Sequence, residues 1–344
     1  MGFFLKLMKL RNIFLLLCSA SLVGLSSCGS SNEPKTPNDS LAGKDSLVVI
    51  NDLIRKDPGN LDLYLRRSKI YMQKKDYGAS MMDVDRILAI DSSNADYLIA
   101  GADIYFFTGK ITRTKQLLER AVAVNPDNID CLLRLAQLHH YLTNYDEEIA
   151  LLDKVLQKDV HNSQAYFMKG MLFKEKGDTA KAISSMQTAV EQDPDHYNAY
   201  IQLGLLYAAK KNPLAESYYM NALKINPGSE EALYNLGIFY QETDNYNAAI
   251  ETYTALLKIN PHNFDAHFNL GMLHVVKLNV VDEGMKYFNA AIEDNPKDPR
   301  GYYGRGYCFE KKGDVTNAMS DYKMALTVDP TYENAAIAMS RLEK

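Results

Sequence analysis

Apolar and polar positions along this chain follow a pattern that repeats every 34 residues. The clearest copy, EEALYNLGIFYQETDNYNAAIETYTALLKINPHN, runs from residue 230 to residue 263. Apolar residues recur at helical spacing on both sides of a polar turn at Asp244-Asn245, and Pro261 cannot continue the second helix. A period of this length predicts stacked pairs of helices, each pair too small to bury its apolar face alone.

The closing proline sets the register of eight copies. We assign them to residues 61–94, 95–128, 129–162, 163–196, 197–229, 230–263, 264–298 and 299–332. The fifth copy is one residue short at Lys211-Asn212-Pro213, and the seventh is one residue long near Asn279-Val280-Val281. We expect both changes to lie between the two helices of a copy, where loops accept changes of length at low cost. Residues 45–60 match only the second half of a copy and predict a lone helix, and residues 333–344 predict a capping helix.

The eighth residue of every copy is small, which lets the two helices of a pair approach closely. These residues are Ser68, Ala102, Ala136, Gly170, Gly204, Gly237, Gly271 and Gly306. The order Leu236-Gly237, Tyr240, Ala249, Tyr253 and Asn260-Pro261 resembles the tetratricopeptide repeat. The resemblance implies an all-α, right-handed superhelical solenoid of antiparallel helix pairs. Proteins of this kind usually bind other proteins and catalyse nothing, so we expect no enzymatic activity and no cofactor.

The resemblance also implies a concave binding surface, lined by positions 2, 5, 6, 9 and 12 of the first helices. Positions 5 and 6 combine an apolar stripe with a short carboxamide ladder. The predicted partner-binding residues are Phe167, Ile201, Gln202, Tyr234, Asn235, Phe268, Asn269 and Tyr303. Carboxamides donate and accept hydrogen bonds, so they can pair with an extended peptide backbone whatever its side chains. The alternative is that tyrosine and asparagine are simply the commonest residues of the family at these positions.

Chaperone-type repeats of this family grip a C-terminal carboxylate with a clamp whose first lysine stands at position 5. This chain has leucine, isoleucine or an aromatic residue at that position in every copy. A carboxylate clamp of that kind is therefore not expected.

The first 27 residues resemble a bacterial lipoprotein signal peptide. Basic residues precede an apolar stretch at 13–25, and Leu25-Ser26-Ser27-Cys28 follows. The resemblance implies cleavage before Cys28 and acylation of that residue, and several acyl chains anchor a protein stably. A plain secretory signal with an incidental cysteine is the alternative. Residues 28–44 are polar and predict a disordered tether. Gly29, where aspartate would favour the inner membrane, indicates an outer-membrane lipoprotein that faces the periplasm.

Cysteine and histidine residues give no pattern typical of a metal or redox site. Cys131 and Cys308 lie in distant copies, so we expect them to be small packing residues and not a disulfide. His267 and His274 occupy core seams, where a satisfied packing role is expected. His139 is predicted to be buried and His140 to face the groove. No metal site is predicted.

The formal net charge of the 344-residue chain is −5. The predicted signal carries three basic and no acidic residues, so the mature chain would stand near −8. An acidic surface argues against nucleic acid as a partner. The sequence thus predicts a lipid-anchored envelope adaptor that binds proteins or peptide segments. A non-catalytic regulatory subunit of an envelope hydrolase or glycan machine, or a structural part of a secretion or motility apparatus, remains an alternative.

Overall fold

The computed structural model describes residues 47–343, and every regular element in that range is helical. The predicted all-α class is therefore confirmed. The chain divides into two compact units, an N-terminal unit that ends at Lys176 and a C-terminal unit that begins at Gly177. The predicted signal peptide, lipid-attachment residue Cys28 and tether lie outside the described residues.

The described part of the N-terminal unit contains eight helices. They are α1 Leu47–Lys56, α2 Leu61–Gln73, α3 Tyr77–Ile90, α4 Ala95–Phe107, α5 Ile111–Val124, α6 Ile129–Tyr141, α7 Tyr145–Lys158 and α8 Ser163–Glu175. The pairs α2/α3, α4/α5 and α6/α7 are the first and second helices of copies one to three. Most of their core is a cluster of aliphatic and aromatic side chains that extends from Val84 of the first copy to Met168 of the fourth. A second cluster, which includes Ile50, Tyr64 and Ile87, joins α1 to the first copy.

The described part of the C-terminal unit contains ten α-helices. They are α9 Thr179–Gln192, α10 Tyr197–Ala208, α11 Leu214–Ile225, α12 Glu230–Glu242, α13 Tyr246–Ile259, α14 Phe264–Met272, α15 Val281–Asp294, α16 Pro299–Lys311, α17 Val315–Val328 and α18 Glu333–Leu342. A π-helical segment, Leu273–Lys277, continues α14. The pairs α10/α11, α12/α13, α14/α15 and α16/α17 form copies five to eight.

In copies two to eight, the side chain of the residue before the first helix caps that helix, whereas Asn60 before α2 makes no such hydrogen bond. Asn128 Oδ1 accepts from the Cys131 amide at 3.0 Å, and Asn263 Oδ1 accepts from the Ala266 amide at 2.9 Å. Ser229 caps α12 through its hydroxyl in the same way. Because these side chains satisfy amides that have no partner within the helix, they fix where each copy begins.

The turn between the two helices of a copy contains one residue in the left-handed region. It stands at position 15 in seven copies: Lys75, Gly109, Thr143, Gly177, Lys211, Asp244 and Gly313. In the seventh copy it is Asn279, at position 16. The additional residue must therefore precede Asn279, within the π-helical segment. The prediction that this insertion lies between the helices is wrong, because the wider π turn accommodates it at the end of the first helix.

Candidate functional site

Five of the predicted groove residues of the C-terminal unit lie on three successive first helices. Tyr234 and Asn235 belong to α12, Phe268 and Asn269 to α14, and Tyr303 to α16, and all five side chains are partly exposed. A ligand can therefore reach a row of aromatic and carboxamide groups that the repeat period places on equivalent helix faces.

Asn269 is held in place by a tyrosine of the second helix α13. Its Nδ2 donates to Tyr253 Oη at 3.3 Å, and the Tyr234 hydroxyl lies close to it. The Tyr234 and Tyr253 rings lie 6.4 Å apart. Burial, and then the negative charge of Asp265, raise the pKa of Tyr234, so its hydroxyl stays a neutral donor and acceptor. The carboxamide is thus positioned before any ligand arrives.

Arg300 joins the first helices of the seventh and eighth copies. Its guanidinium carbon lies 4.6 Å from the centroid of the Phe264 ring and 5.3 Å from that of Phe268. The same group pairs with Asp265 at 2.9 Å and Asp298 at 2.8 Å. The hydrogen bond with Asp298 is the main reason that the pKa of Arg300 is raised, so the group stays charged. Sequence reasoning missed this cluster, although an arginine at position 2 among aspartates was a visible signal.

The remaining predicted site residues offer less surface. Phe167 on α8 is 4% exposed and Ile201 on α10 is 2% exposed, because both side chains pack in the core. These two residues support the helix packing and present almost nothing to a ligand. Gln202 is partly exposed on α10. The accessible site is therefore concentrated on α12, α14 and α16.

The N-terminal unit has a different set of polar groups at groove positions. Arg134 on α6 pairs with Asp103 of α4 at 2.7 Å and with Asp130 of its own helix at 3.0 Å. Burial outweighs the attraction of Arg134 and raises the pKa of Asp103 to about 6. Nearby on α6, Gln137 Nε2 is buried without a hydrogen-bond partner. Arg134 stands at position 6 of the third copy and Asp103 at position 9 of the second. This spacing of opposite charges was visible in the sequence.

The two adjacent histidines of α6 behave differently. His139 is 6% exposed, which confirms its predicted core position. His140 Nδ1 lies 3.0 Å from an oxygen of Glu148 on α7, and its side chain is only 11% exposed. Burial lowers the pKa of His140, but the hydrogen bond and charge of Glu148 outweigh it and the net pKa is raised. The prediction that His140 faces the groove is wrong, because the buried carboxylate draws the ring toward the second helix.

The histidines of the seventh copy also differ from each other. His267 Nδ1 lies 2.6 Å from Asp294, whose other oxygen lies 3.0 Å from His262. His274 stacks on Tyr287 with centroids 5.3 Å apart, but its buried Nδ1 has no partner, so the predicted satisfied role holds only for His267. Among residues 47–343, no three acidic, histidine or cysteine side chains form a group that could hold a metal ion.

Cys131 and Cys308 are free and fully buried, which confirms their predicted packing role. Burial raises the pKa of the Cys131 thiol to about 11 and that of Cys308 to about 12, so neither is a reactive thiolate at neutral pH. No helix in the described part of the chain has the length and apolar character needed to cross a membrane.

Comparison with known proteins places these helix pairs in a family. Family models described as tetratricopeptide repeat match residues 163–196, 218–251 and 299–332, and one described as TPR repeat matches residues 240–275. The C-terminal part of a TPR repeat-containing protein from Cytophaga hutchinsonii superposes with a TM-score of 0.59 at 20% identity. That match covers 68% of this chain and 96% of the other. It shows the fold.

Two plant proteins are similar in sequence over a short segment. The Hsp70-Hsp90 organizing protein of Triticum aestivum is 38% identical over 50 residues, and the Hsp70-Hsp90 organizing protein 2 of Arabidopsis thaliana is 34% identical over 50 residues. Each match covers 14% of this chain and only 9% of the relative. The repeat pattern, the helix pairs and these matches agree, and the chain belongs to the tetratricopeptide-repeat family.

Proposed function

We propose that this protein is a non-catalytic adaptor that binds an extended segment of another protein along α12, α14 and α16. The observation that carries the proposal is the positioned carboxamide of Asn269, held by the Tyr253 hydroxyl beside the partly exposed rings of Tyr234 and Phe268. A carboxamide whose orientation is already fixed loses little entropy when it pairs with a peptide backbone. The two plant relatives are named as organizing proteins of Hsp70 and Hsp90, and a protein-binding role for this chain agrees with those names.

Asn235 and Asn269 supply the backbone contacts in this proposal, while Tyr234 and Phe268 supply apolar area. Each lost hydrogen bond should cost about 0.5–1.5 kcal/mol. The Asn235→Ala and Asn269→Ala double variant should therefore bind roughly tenfold or more weakly. Phe268→Ala should weaken binding further if the ring is a buried anchor, but it also removes a stacking partner of Arg300.

The test begins with tagged full chain purified from solubilised cell envelopes, with the bound proteins identified by mass spectrometry. Overlapping synthetic peptides from each enriched protein are then titrated against wild type and the double variant. Asn247→Ala, on the exposed side of α13, is the matched control, and Lys258→Ala is a second. Wild-type affinity in the double variant, with loss of binding in either control, would place the binding surface elsewhere on the molecule.

We propose further that a lipid on Cys28 anchors the protein to the outer membrane, facing the periplasm. The support is the sequence Leu25-Ser26-Ser27-Cys28 after a short apolar stretch. Cys28→Ala should release the protein from membranes, while the helical content seen by circular dichroism stays unchanged. An unmodified Cys28 in the mature protein, found by mass spectrometry, would contradict this anchoring.

A further inference from the structure

Position 9 of the repeat widens the apolar stripe of the groove on α12, α14 and α16. It follows the aromatic position 5 by four residues, so the two positions share one face of each helix. Its residues are Ile238, Met272 and Tyr307, and all three side chains are partly exposed. In the first two copies the same position carries Lys69 and Asp103, which are charged. Because a charged group loses hydration when an apolar surface covers it, the part of a ligand that lies over this stripe must be uncharged.

Negative charge is concentrated at the N-terminal ends of these first helices. Glu231, in the first turn of α12, is exposed. Asp265 and Asp298 share the single positive charge of Arg300, at 2.9 Å and 2.8 Å. These three carboxylates outnumber the one guanidinium. A ligand with a basic residue beside its apolar part therefore complements this end of the groove.

The spacing of the helices decides which backbone conformation of a ligand fits. Arg300 Nη1 on α16 lies 2.9 Å from Asp265 on α14, so these two first helices are direct neighbours. Helices in direct contact lie about 8–10 Å apart. In a polyproline II segment, side chains return to the same face every third residue, after about 9 Å. In a β-strand they return every second residue, after about 7 Å, so successive contacts do not match the helix spacing.

Two further properties of the groove suit a polyproline II segment. Tyr234, Phe268 and Tyr303 supply one partly exposed ring per copy, and proline-rich segments dock in grooves lined by aromatic side chains. The polyproline II backbone makes no internal hydrogen bonds, so its carbonyl groups can accept from the carboxamides of Asn235 and Asn269.

We propose that the partner segment is rich in proline and binds in the polyproline II conformation. It presents an apolar, uncharged residue at every third position, so that one such residue contacts each of Tyr234, Phe268 and Tyr303. A basic residue of the segment lies beside Glu231. This inference rests on the groove of the proposed function, and it specifies the chemistry of the partner.

Fluorescence anisotropy of labelled synthetic peptides, titrated with the full chain in detergent, tests the inference. The first peptide has four leucine-serine-proline repeats and an arginine at each end. The second has the same leucines and arginines, but its leucines alternate with serine and it contains no proline. The first peptide should bind at least about tenfold more tightly, because its backbone is preformed and its leucines match the helix spacing. A third peptide, with alanine in place of each proline, keeps the leucine spacing alone and should have intermediate affinity.

Two pairs of variants place the first peptide on the groove. Tyr234→Leu keeps an apolar side chain but removes the ring, and it should weaken binding about threefold or more. Tyr246→Leu is the matched control, because Tyr246 is a partly exposed tyrosine of the second helix α13. Glu231→Gln should weaken binding and reduce its dependence on salt. Glu251→Gln removes an exposed carboxylate of α13 and should change neither.

Equal affinity for the first two peptides would overturn the inference, as would no binding of the first peptide at its highest soluble concentration. A loss in Tyr246→Leu as large as that in Tyr234→Leu would also overturn it. In each case the proposed function would stand if a segment of a captured partner still required Asn235 and Asn269. If neither that segment nor the peptides depended on the two asparagines, the proposed function would fail as well.

Discussion

The two units close their helix pairs with different combinations of a small residue on the first helix and a larger one on the second. In the C-terminal unit a glycine of the first helix meets a ring of the second: Gly204 with Tyr219, Gly237 with Tyr253, Gly271 with Phe288 and Gly306 with Tyr322. In the N-terminal unit the equivalent residues of the first helices are Ser68, Ala102 and Ala136, and those of the second helices are Val84, Leu118 and Leu152. All of these side chains are buried. The eighth residue of the first helix and the residue that faces it on the second helix together fill the space where the two helices meet. The size of one therefore limits the size of the other.

This difference in core residues also changes how the polar side chains of the groove are held. Tyr253 extends past Gly237 and its hydroxyl accepts from Asn269, so a core ring positions a groove carboxamide. Leu118 and Leu152 have no polar end, and the groove groups of the N-terminal unit pair with one another, as Asp103 does with Arg134. The choice of ring or aliphatic side chain in the core thus decides how the groove is supported.

The largest expected effect comes from removing a core ring. Tyr253→Ala should destabilise the C-terminal unit by about 3–5 kcal/mol, because it leaves a cavity against Gly237, which has no side chain to fill it. Leu118→Ala in the N-terminal unit should cost about 2–5 kcal/mol. Hydrogen exchange measured by mass spectrometry should show each loss mainly within its own unit. If Tyr253→Ala lost less stability than Leu118→Ala, the C-terminal unit would not depend more on its ring than the N-terminal unit does on its leucine.

Gly237→Ala tests the other partner of the same contact. A methyl group there would lie 2.5 Å from Tyr253 Cε1. Glycine to alanine in a helix normally stabilises by about 1 kcal/mol. Overpacking should instead give a net loss of about 1–3 kcal/mol in the free energy of unfolding.

The combination Gly237→Ala with Tyr253→Leu imitates the N-terminal unit and serves as the rescue. It should recover most of the stability lost in the single variant, because the small and large residues are exchanged together. This double variant should still bind peptide more weakly than wild type, because leucine at position 253 cannot accept the hydrogen bond from Asn269. A double variant less stable than Gly237→Ala would show that the two positions are not coupled.

The sequence predicts the helix pairs because the period, the small eighth residue and the closing proline all act locally. It does not predict how far a side chain lies from water. Phe167 and Tyr234 occupy the same repeat position, yet one is buried and the other partly exposed, because their neighbours differ. Pairs such as Arg300 with Phe264 depend on contacts between copies that a single repeat does not specify. The π-helical end of α14 likewise depends on how its turn packs.

Because of Asp103, the stability of the N-terminal unit should depend on pH in a way that the stability of the C-terminal unit does not. Its pKa is raised from 3.8 to about 6 in the folded protein, so the folded state holds this proton more tightly. The resulting stability is fully present below about pH 3.8 and is lost as the pH rises to about 6.

Relative to Asp103→Asn, the N-terminal unit should therefore lose about 1–2 kcal/mol between pH 4 and pH 7, with allowance for partial solvent exposure of the carboxylate. Chemical denaturation at several pH values, followed by hydrogen exchange, measures the difference. Amides of the C-terminal unit should not distinguish the two proteins. A difference between the proteins that does not vary with pH would show that Asp103 titrates normally.

The smallest expected effect concerns the turns, where the units again differ. Thr143 in the N-terminal unit has φ of 60°, an unfavourable conformation for a β-branched residue, and Asp244 in the C-terminal unit has the same φ. Thr143→Gly should stabilise by about 0.5–1 kcal/mol, because the relieved strain exceeds the added entropy of the unfolded chain. Asp244→Gly should change stability by less than about 0.5 kcal/mol, because aspartate tolerates this region better than a β-branched residue does. The contacts of its carboxylate, with the Tyr246 hydroxyl and with Lys277 at 3.9 Å, are exposed to solvent. Thermal unfolding of the two variants side by side measures both changes. Equal effects in the two turns would mean that the left-handed position costs both residues the same.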